Sequence, residues 1–327
     1  MVPIPIFAVS ARIKPRTLFD EERMAKALMQ LAAEDPAINV RYDLESGQSI
    51  VSVVSEQKFS SILDRLKHEF NVTANFGTPQ AAYRETIRKP VIEETKFIGR
   101  VGGPRQYGHC VIKIDPQPLS KGFEFINEAR QGRIPREYIP AIEKGVREAL
   151  DGGALAGFPL VGIKVTLVDG SYHDVDSSEI AFKFCGALAL RHGCQKASPA
   201  IVEPIMKYEA TTPERYAGNI IGDLKSRRAK ISEMGDRGAS KFIRCAVPMA
   251  EMFGYAAFLG SLTQNSATFT LEASHYEELP PGKWRASIDP HSPDEPPTAG
   301  AGRPVRPLRP KPGLSGGERK PLPPNDA

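Results

Sequence analysis

The strongest constraint on this chain is an order of elements that occurs twice. Residues 4–12, "IPIFAVSAR", alternate apolar and polar as a half-buried strand does. Residues 20–35, "DEERMAKALMQLAAED", put Met24, Leu28 and Leu31 on one helical face. "INVRYDL" and "SIVSVV" read as strands joined by the turn "ESGQ" at 45–48. "SEQKFSSILDRLKHEF" (55–70) is helical, with Phe59, Ile62, Leu63 and Leu66 as its stripe, and "NVTANFG" (71–77) closes the series. The order is β-α-β-β-α-β, the ferredoxin-like split pattern. It returns near the other end. "PIMKYEATT" is a strand, and Pro213 opens the helix "PERYAGNIIGDLKSRRA". "KISEM" and "KFIRCAVP" pair around "GDRGA", "MAEMFGYAAFLGSLT" is the second helix, and "SATFTLEASHY" is the last strand.

A different middle, roughly 85–200, separates the two modules. It offers the long strands "GHCVIKIDPQP" and "FPLVGIKVTLVDG". Its first helix is "REYIPAIEKGVREALDGG", preceded by Pro135 and followed by Gly152 and Gly153. The second starts near Asp176, placed as an N-cap with Glu179 three residues on, and runs to about His192 with Gly193 as its stop. The fold class is therefore α+β, two modules of one topology flanking a different middle. From Pro280 to Ala327 the chain holds 13 prolines and 6 glycines in 48 residues. Such a stretch cannot bury enough surface to offset its ordering entropy, so 280–327 reads as a disordered tail.

Charge narrows the partners. The net charge is +4, of which eight Lys/Arg against five Asp/Glu in the tail supply +3, leaving the folded part near neutral. A broad electrostatic footprint for DNA is missing, so any RNA contact is local and shaped. Cys110, Cys185, Cys194 and Cys245 are widely spaced, as free thiols in a reducing compartment are. The N-terminus lacks the pattern of a signal peptide and no apolar run approaches 18 residues, which points to the cytoplasm and to no membrane partner.

The motifs of common chemistries are absent: no G-x-x-x-x-G-K-[ST], H-E-x-x-H, G-x-S-x-G or G-x-G-x-x-G occurs. "GSYHDVDSSE" (170–179) is the one suggestive stretch. Ser171, His173 and Asp174 have triad chemistry, but near neighbours on one turn diverge, whereas a triad converges from separate elements. His173, Asp174 and Asp176 could ligate a metal, yet all three lie on one loop without a second element. The plain alternative is a capped helix behind an exposed turn histidine. His109 in "QYGHCVIKI" reads as a strand residue engaged in packing or a local hydrogen bond. "KSRRAK" (225–230) is a solvated helix end or an RNA contact. "RPVRPLRPKP" (303–312) has the spacing of a polyproline docking motif or belongs to an unstructured tail. No cofactor, metal or catalytic residue is implied.

Seven stretches carry a family resemblance. "FNVTANFGTPQAAYRETI" (70–87), "QYGHCVIKI", "GFEFINEARQGRIPREYIPAIEKGV" (122–146), "GSYHDVDSSEIAFK" (170–183), "EPIMKYEA" (203–210), "GNIIGDLKSRR" (218–228) and "EMFGYAAFLGSLT" (251–263) stand in order. Together they resemble the C-terminal half of bacterial elongation factor G, over about residues 3–279. The resemblance implies the third, fourth and fifth domains of that family, at 1–84, 85–200 and 201–279, the third and fifth ferredoxin-like and the fourth with a left-handed β-α-β crossover that the usual rule of hand does not anticipate. It implies ribosome binding and tRNA–mRNA translocation contacts without the family's GTPase domain and β-barrel. GTP hydrolysis would then need a separately encoded partner, and the chain would be a GTPase-less relative or a separated part. A split factor, a ribosomal-protection protein and a stand-alone hydrolase at His173 are the alternatives.

The resemblance also implies site residues. The fourth domain of the family mimics a tRNA anticodon arm, and two loops form its tip. Here they hold Gly102, Gly103, Arg105, Gln106 and Tyr107, and Gly170, Ser171, Tyr172, His173, Asp174, Val175 and Asp176. His173 matches the histidine that touches the tRNA–mRNA duplex, a role in which one donor and one acceptor meet ribose or base edges. Lys225, Arg227, Arg228 and Ser261 fall where the fifth domain contacts ribosomal RNA. Departures stand beside these matches. Ser55 and Lys58 replace the glycine and histidine of the family's G-E-L-H-L, Pro104 alters the first tip loop, Gly260 removes a cation, and the proline-rich "PPGKWRASIDPHSPDEPP" replaces a last helix.

Overall fold

The computed structural model describes residues 6–43, 48–100, 105–130 and 132–280. The hairpin turn expected at 45–48 falls almost wholly outside these residues, as does the tail beyond Pro280.

The first unit comprises β1 (Val9–Pro15), α1 (Glu21–Glu34), β2 (Ile38–Asp43), β3 (Gln48–Val53), α2 (Gln57–Glu69), β4 (Ala74–Phe76) and the short β5 (Gln80–Ala81). Its strands run in the order β2-β3-β1-β4, antiparallel throughout, with β5 also on β1. Period-two alternation buries Val9, Ala11 and Ile13 on one face of β1. Helical spacing buries Met24, Ala27, Leu28 and Leu31 of α1, and Phe59, Ile62 and Leu66 of α2, against that face. Lys58, at the start of α2, reaches Asp35 at 2.7 Å, so this departure from the family pattern is tied within the unit.

The middle unit follows through β6 (Arg84–Ile87), β7 (Val91–Arg100), β8 (Arg105–Pro116), β9 (Phe123–Asn127), α3 (Ile139–Leu150), β10 (Ile163–Ser171) and α4 (Glu179–Lys196). Its sheet order is β7-β8-β10-β9, and β9 and β10 are parallel, so α3 is the crossover of a βαβ unit. The two helices cross very closely: a Cβ on Gly145 would stand 1.9 Å from the Lys183 carbonyl oxygen. α4 passes through Gly193 rather than stopping there. That glycine is retained by packing, because a Cβ would come within 2.5 Å of Ile114 Cδ1.

The last unit comprises β11 (Pro199–Pro213), α5 (Glu214–Ser226), β12 (Lys230–Arg237), β13 (Ser240–Pro248), α6 (Tyr255–Thr263) and β14 (Thr268–Glu278). The order β12-β13-β11-β14 repeats that of the first unit. The helix expected over 249–263 is broken: a 3-10 turn at Met249–Glu251 precedes α6, and Gly254 between them holds φ +72°, a left-handed conformation no helix continues through.

Two cores result. One is shared by the first and last units, running from Leu28 and Phe59 to Tyr208, Tyr255 and Leu259. The other lies within the middle unit, around Ile112, Phe182, Cys185 and Leu190. The two units that share a core are also tied directly, Tyr276 donating its hydroxyl to the Phe7 carbonyl at 2.8 Å.

The middle unit stands on a two-strand neck. β6 leads into it, the start of β11 leads out, and the two pair antiparallel from Arg84↔Val202 to Ile87↔Pro199. Glu85, fully buried in this neck, accepts four backbone N–H bonds from Ala154, Leu155, Ala156 and Phe158, at 2.6 to 3.0 Å. Arg41 of β2 grips the same loop, donating to the carbonyls of Asp151 and Gly157 at 2.8 Å each.

Candidate functional site

The far end of the middle sheet is where the expected tip residues meet. Gly102 and Gly103 lie outside the described residues. Arg105, Gln106 and Tyr107 open β8, Gly170 and Ser171 close β10, and Tyr172 to Asp176 form the turn that leads into α4. The two segments are stitched together. Tyr107 donates its N–H to the Asp176 carbonyl at 2.7 Å, and Ser177 Oγ donates to the Tyr107 carbonyl at 2.9 Å. Gly170 permits the approach, since a Cβ there would lie 2.4 Å from the His109 carbonyl oxygen.

His173 organises the turn itself. Its carbonyl accepts from Ser177 N–H at 3.1 Å, and its N–H donates to Ser177 Oγ at 3.0 Å. Its ring nitrogen Nδ1 accepts from the N–H groups of Val175 at 3.3 Å and Asp176 at 3.2 Å. A nitrogen that accepts carries no proton, so the ring's N–H sits on Nε2. The acceptor foreseen for RNA is thus spent inside the loop, and a single donor remains. His173 keeps 56% of its side chain exposed and Val175, at the apex, is 84% exposed. The Asp176 carboxylate is 3.7 Å from Nδ1, beyond hydrogen-bonding distance.

Asp176 is not the helix cap. Ser178 is: its Oγ accepts from Ala181 N–H at 3.2 Å and contacts Gln106 Oε1. Glu179 consequently occupies the first helical position, not the third, and no capping box forms. The reason is the Asp176 carbonyl, which β8 engages before the helix can begin.

The root of the turn holds a cluster that sequence reasoning missed. Ser171 Oγ lies 2.8 Å from the Tyr107 hydroxyl and 2.7 Å from His109 Nδ1. Burial, with Lys96 adding to it, holds His109 below its usual 6.5, so the ring is neutral near pH 7. Its Nε2 is 3.2 Å from Glu94 Oε1 but out of line, and makes no hydrogen bond. Distances alone resemble a nucleophile, base and orienting acid. With Tyr107 holding Ser171 and Glu94 misaligned, however, the cluster works as a polar clamp across β8 and β10. The signal was present in "QYGHC", whose alternation puts Tyr107 and His109 on one sheet face. Ser171, His173 and Asp174 do not assemble as a triad, the imidazole being turned to the backbone of its own loop. Among the described residues no group of three His, Cys, Asp or Glu side chains is placed to hold a metal.

The four residues named in the last unit divide. Lys225 and Ser261 are exposed. Arg227 is held by Asp223 at 2.8 Å and by the Glu251 carbonyl at 2.6 Å, with its guanidinium 5.0 Å from the Tyr255 and Phe258 ring centres. Arg228 makes a two-pronged pair with the buried Glu203 at 2.6 and 2.9 Å, and a third bond to Glu251 at 2.9 Å. The cluster that read as a solvated helix end or RNA contact thus puts three of its four cations, Arg227, Arg228 and Lys230, into ion pairs within the unit, and leaves Lys225 exposed.

Three family models match consecutive stretches: Elongation Factor G, domain III, at residues 2–78; Elongation factor G, domain IV, at 79–198; and Elongation factor G C-terminus at 200–285. The chain belongs to the elongation factor G family. A crystal structure from Thermus thermophilus matches with a TM-score of 0.63 and 33% identity, over 88% of this chain and 43% of that one. The chain therefore spans less than half the length of that relative. The exposed turn at Tyr172–Asp176 lies within the domain IV match, and Lys225 and Ser261 within the C-terminal one. Among the described residues no helix is long and apolar enough to cross a membrane.

Proposed function

We propose that this elongation factor G-like chain is a cytoplasmic, ribosome-binding protein that contacts the tRNA–mRNA duplex through the turn at Tyr172–Asp176. In this reading, units at 1–84 and 201–279 form the base and 85–200 the arm. The observation that carries it is the state of His173. Two backbone N–H groups fix its Nδ1, so the turn presents one oriented Nε2 donor at an exposed apex. A fixed single donor suits ribose hydroxyls or base edges, while Asp174 and Asp176 beside it disfavour phosphates. Lys225 and Ser261 are the ribosomal RNA contacts of the base, Arg227 and Arg228 serving stability instead. GTP hydrolysis is supplied from outside these residues, which contain no phosphate-loop motif.

The test is binding followed by position. The chain should co-sediment with ribosomes at low salt, and no co-sedimentation would sink the proposal. His173→Ala removes the acceptor of two exposed amides that water can take over, so the melting temperature should stay within about 2 °C. It should nonetheless abolish any effect on tRNA–mRNA position in a toeprinting assay. A large fall in melting temperature would make the histidine structural.

A further inference from the structure

The loop between β9 and α3 carries an arginine at every third position: Arg130, Arg133 and Arg136. Their surroundings differ. Arg133 forks onto both oxygens of Asp169 at 2.8 Å, which neutralises it. Arg130 and Arg136 are exposed, and among the described residues neither side chain makes an ion pair or a hydrogen bond. Both line a hollow of about 230 Å³ whose apolar floor is Ala129, Ile134 and Ile139. Gly132 and Asn127 complete the lining, and the Asn127 Oδ1 already accepts from Ala129 N–H at 3.1 Å, which leaves its Nδ2 to donate. The acids of this loop, Glu128 and Glu137, are not part of the lining.

The hollow lies at the root of the tip. Ile134 packs beneath Gly170, where a Cβ would come within 2.5 Å of Ile134 Cδ1. Tyr138, two residues past Arg136, reaches the Ser177 carbonyl at 3.5 Å. α3 begins immediately afterwards, so its positive dipole end faces the same region.

We propose that this hollow binds a phosphodiester group of an RNA strand, with Arg130 and Arg136 as paired forks on its oxygens and Asn127 as a third donor. The volume falls below the ~300 Å³ at which small-molecule pockets begin, but admits a phosphate with its water. Planar guanidinium groups match phosphate oxygens two at a time. The turn at Tyr172–Asp176 carries two acids and no cation, so an arm that meets RNA there through one histidine donor needs backbone charge met nearby, and this hollow is one place where it is met. The site rests on the RNA-contact reading above only in taking RNA as the source of the phosphate.

Two probes test it across a salt series: ribosomes by co-sedimentation, and a labelled single-stranded RNA oligonucleotide by fluorescence anisotropy. With the double variant Arg130→Ala/Arg136→Ala, log Kd plotted against log salt should become shallower by about 0.7 to 0.9, the share of one phosphate contact. Weakening should be uniform across RNA sequences. Arg130→Lys/Arg136→Lys should recover the slope but not the full affinity, because the charge returns without the fork. A double alanine variant with wild-type slope and affinity on both probes overturns the site, and so does a wild-type chain that binds neither. Arginine-dependent oligonucleotide binding without ribosome co-sedimentation leaves the site standing and removes the translocation reading.

Discussion

Replacing Glu85 by glutamine changes one atom and should still be among the costliest substitutions in the chain. Oε1 of Glu85 accepts from Ala156 at 2.7 Å and Phe158 at 3.0 Å, and Oε2 from Ala154 at 2.6 Å and Leu155 at 2.8 Å. A glutamine keeps one accepting oxygen and places an NH2 group where the other was. Two N–H donors then face a donor. Each lost bond to a charged acceptor is worth about 1.5 kcal/mol at the low end, so two cost about 3 kcal/mol before any repulsion. The backbone bonds of Glu85, to Pro159 and Val161, are untouched, which confines the change to the carboxylate. The assay is urea unfolding followed by circular dichroism, with limited proteolysis of the 151–158 loop as a second readout. Glu85→Gln should lower the midpoint and open that loop to cleavage, and Glu85→Ala should do at least as much. A glutamine variant within about 0.5 kcal/mol of wild type, still protected in the loop, would refute the carboxylate as the clamp of the neck.

Three further outcomes follow from the same kind of reasoning. Ser178→Ala should cost about 1 kcal/mol through loss of the N-cap, whereas Asp176→Ala should stay within about 0.5 kcal/mol; the reverse order in thermal melts would restore the capping box. Arg228→Ala leaves the buried Glu203 carboxylate without its fork and should cost about 3 kcal/mol, and a variant of unchanged stability would show that arginine free for RNA after all. Side-chain bonds hold several carboxyls below their ordinary values: Glu209 through Arg244 and Arg237, Glu277 through Lys230, and Asp35 through Lys58. Groups with depressed folded values stabilise above the unfolded value, near 4.5 for glutamate, and lose that contribution as pH falls through the folded one. Burial pushes Asp151 the other way, so acid relieves it, but more carboxyls are held low than raised. The melting temperature should therefore fall progressively below about pH 4.5, and a rise on acidification would reverse the sign.

How much of this was legible in the sequence depends on how far apart the interacting groups lie. The two ferredoxin-like units could be read because their evidence is local: Met24, Leu28 and Leu31 repeat with a helix, and Val9, Ala11 and Ile13 with a strand. The neck could not. Arg84–Ile87 pairs with Pro199–Val202, segments more than a hundred residues apart, and nothing local in either announces the other. The same limit explains "KSRRAK". Arg228 looks free in sequence because its partners Glu203 and Glu251 belong to other elements, whereas the Asp223 that holds Arg227 lies four residues before it on the same helix. At the tip, Asp176 reads as the N-cap in sequence, and the structure puts Ser178 there instead. The choice falls on Ser178 because β8, from another part of the chain, takes the Asp176 carbonyl first.

The tip shows the same division within a single side chain. The position of His173 was evident from its surrounding motif, but its hydrogen-bonding state arises only when the turn closes and two amides converge on Nδ1. That closure changes what the arm can recognise. A freely rotating histidine offers a donor and an acceptor to many partners, and it loses rotamer entropy on binding any of them. A histidine whose acceptor is already satisfied offers one donor in one direction, with the ordering cost met during folding. Recognition by such a tip is weak in energy and demanding in geometry. An arm of this design gains little by gripping its target tightly at the apex. It is suited to being placed there by contacts made elsewhere, at its root and at its base.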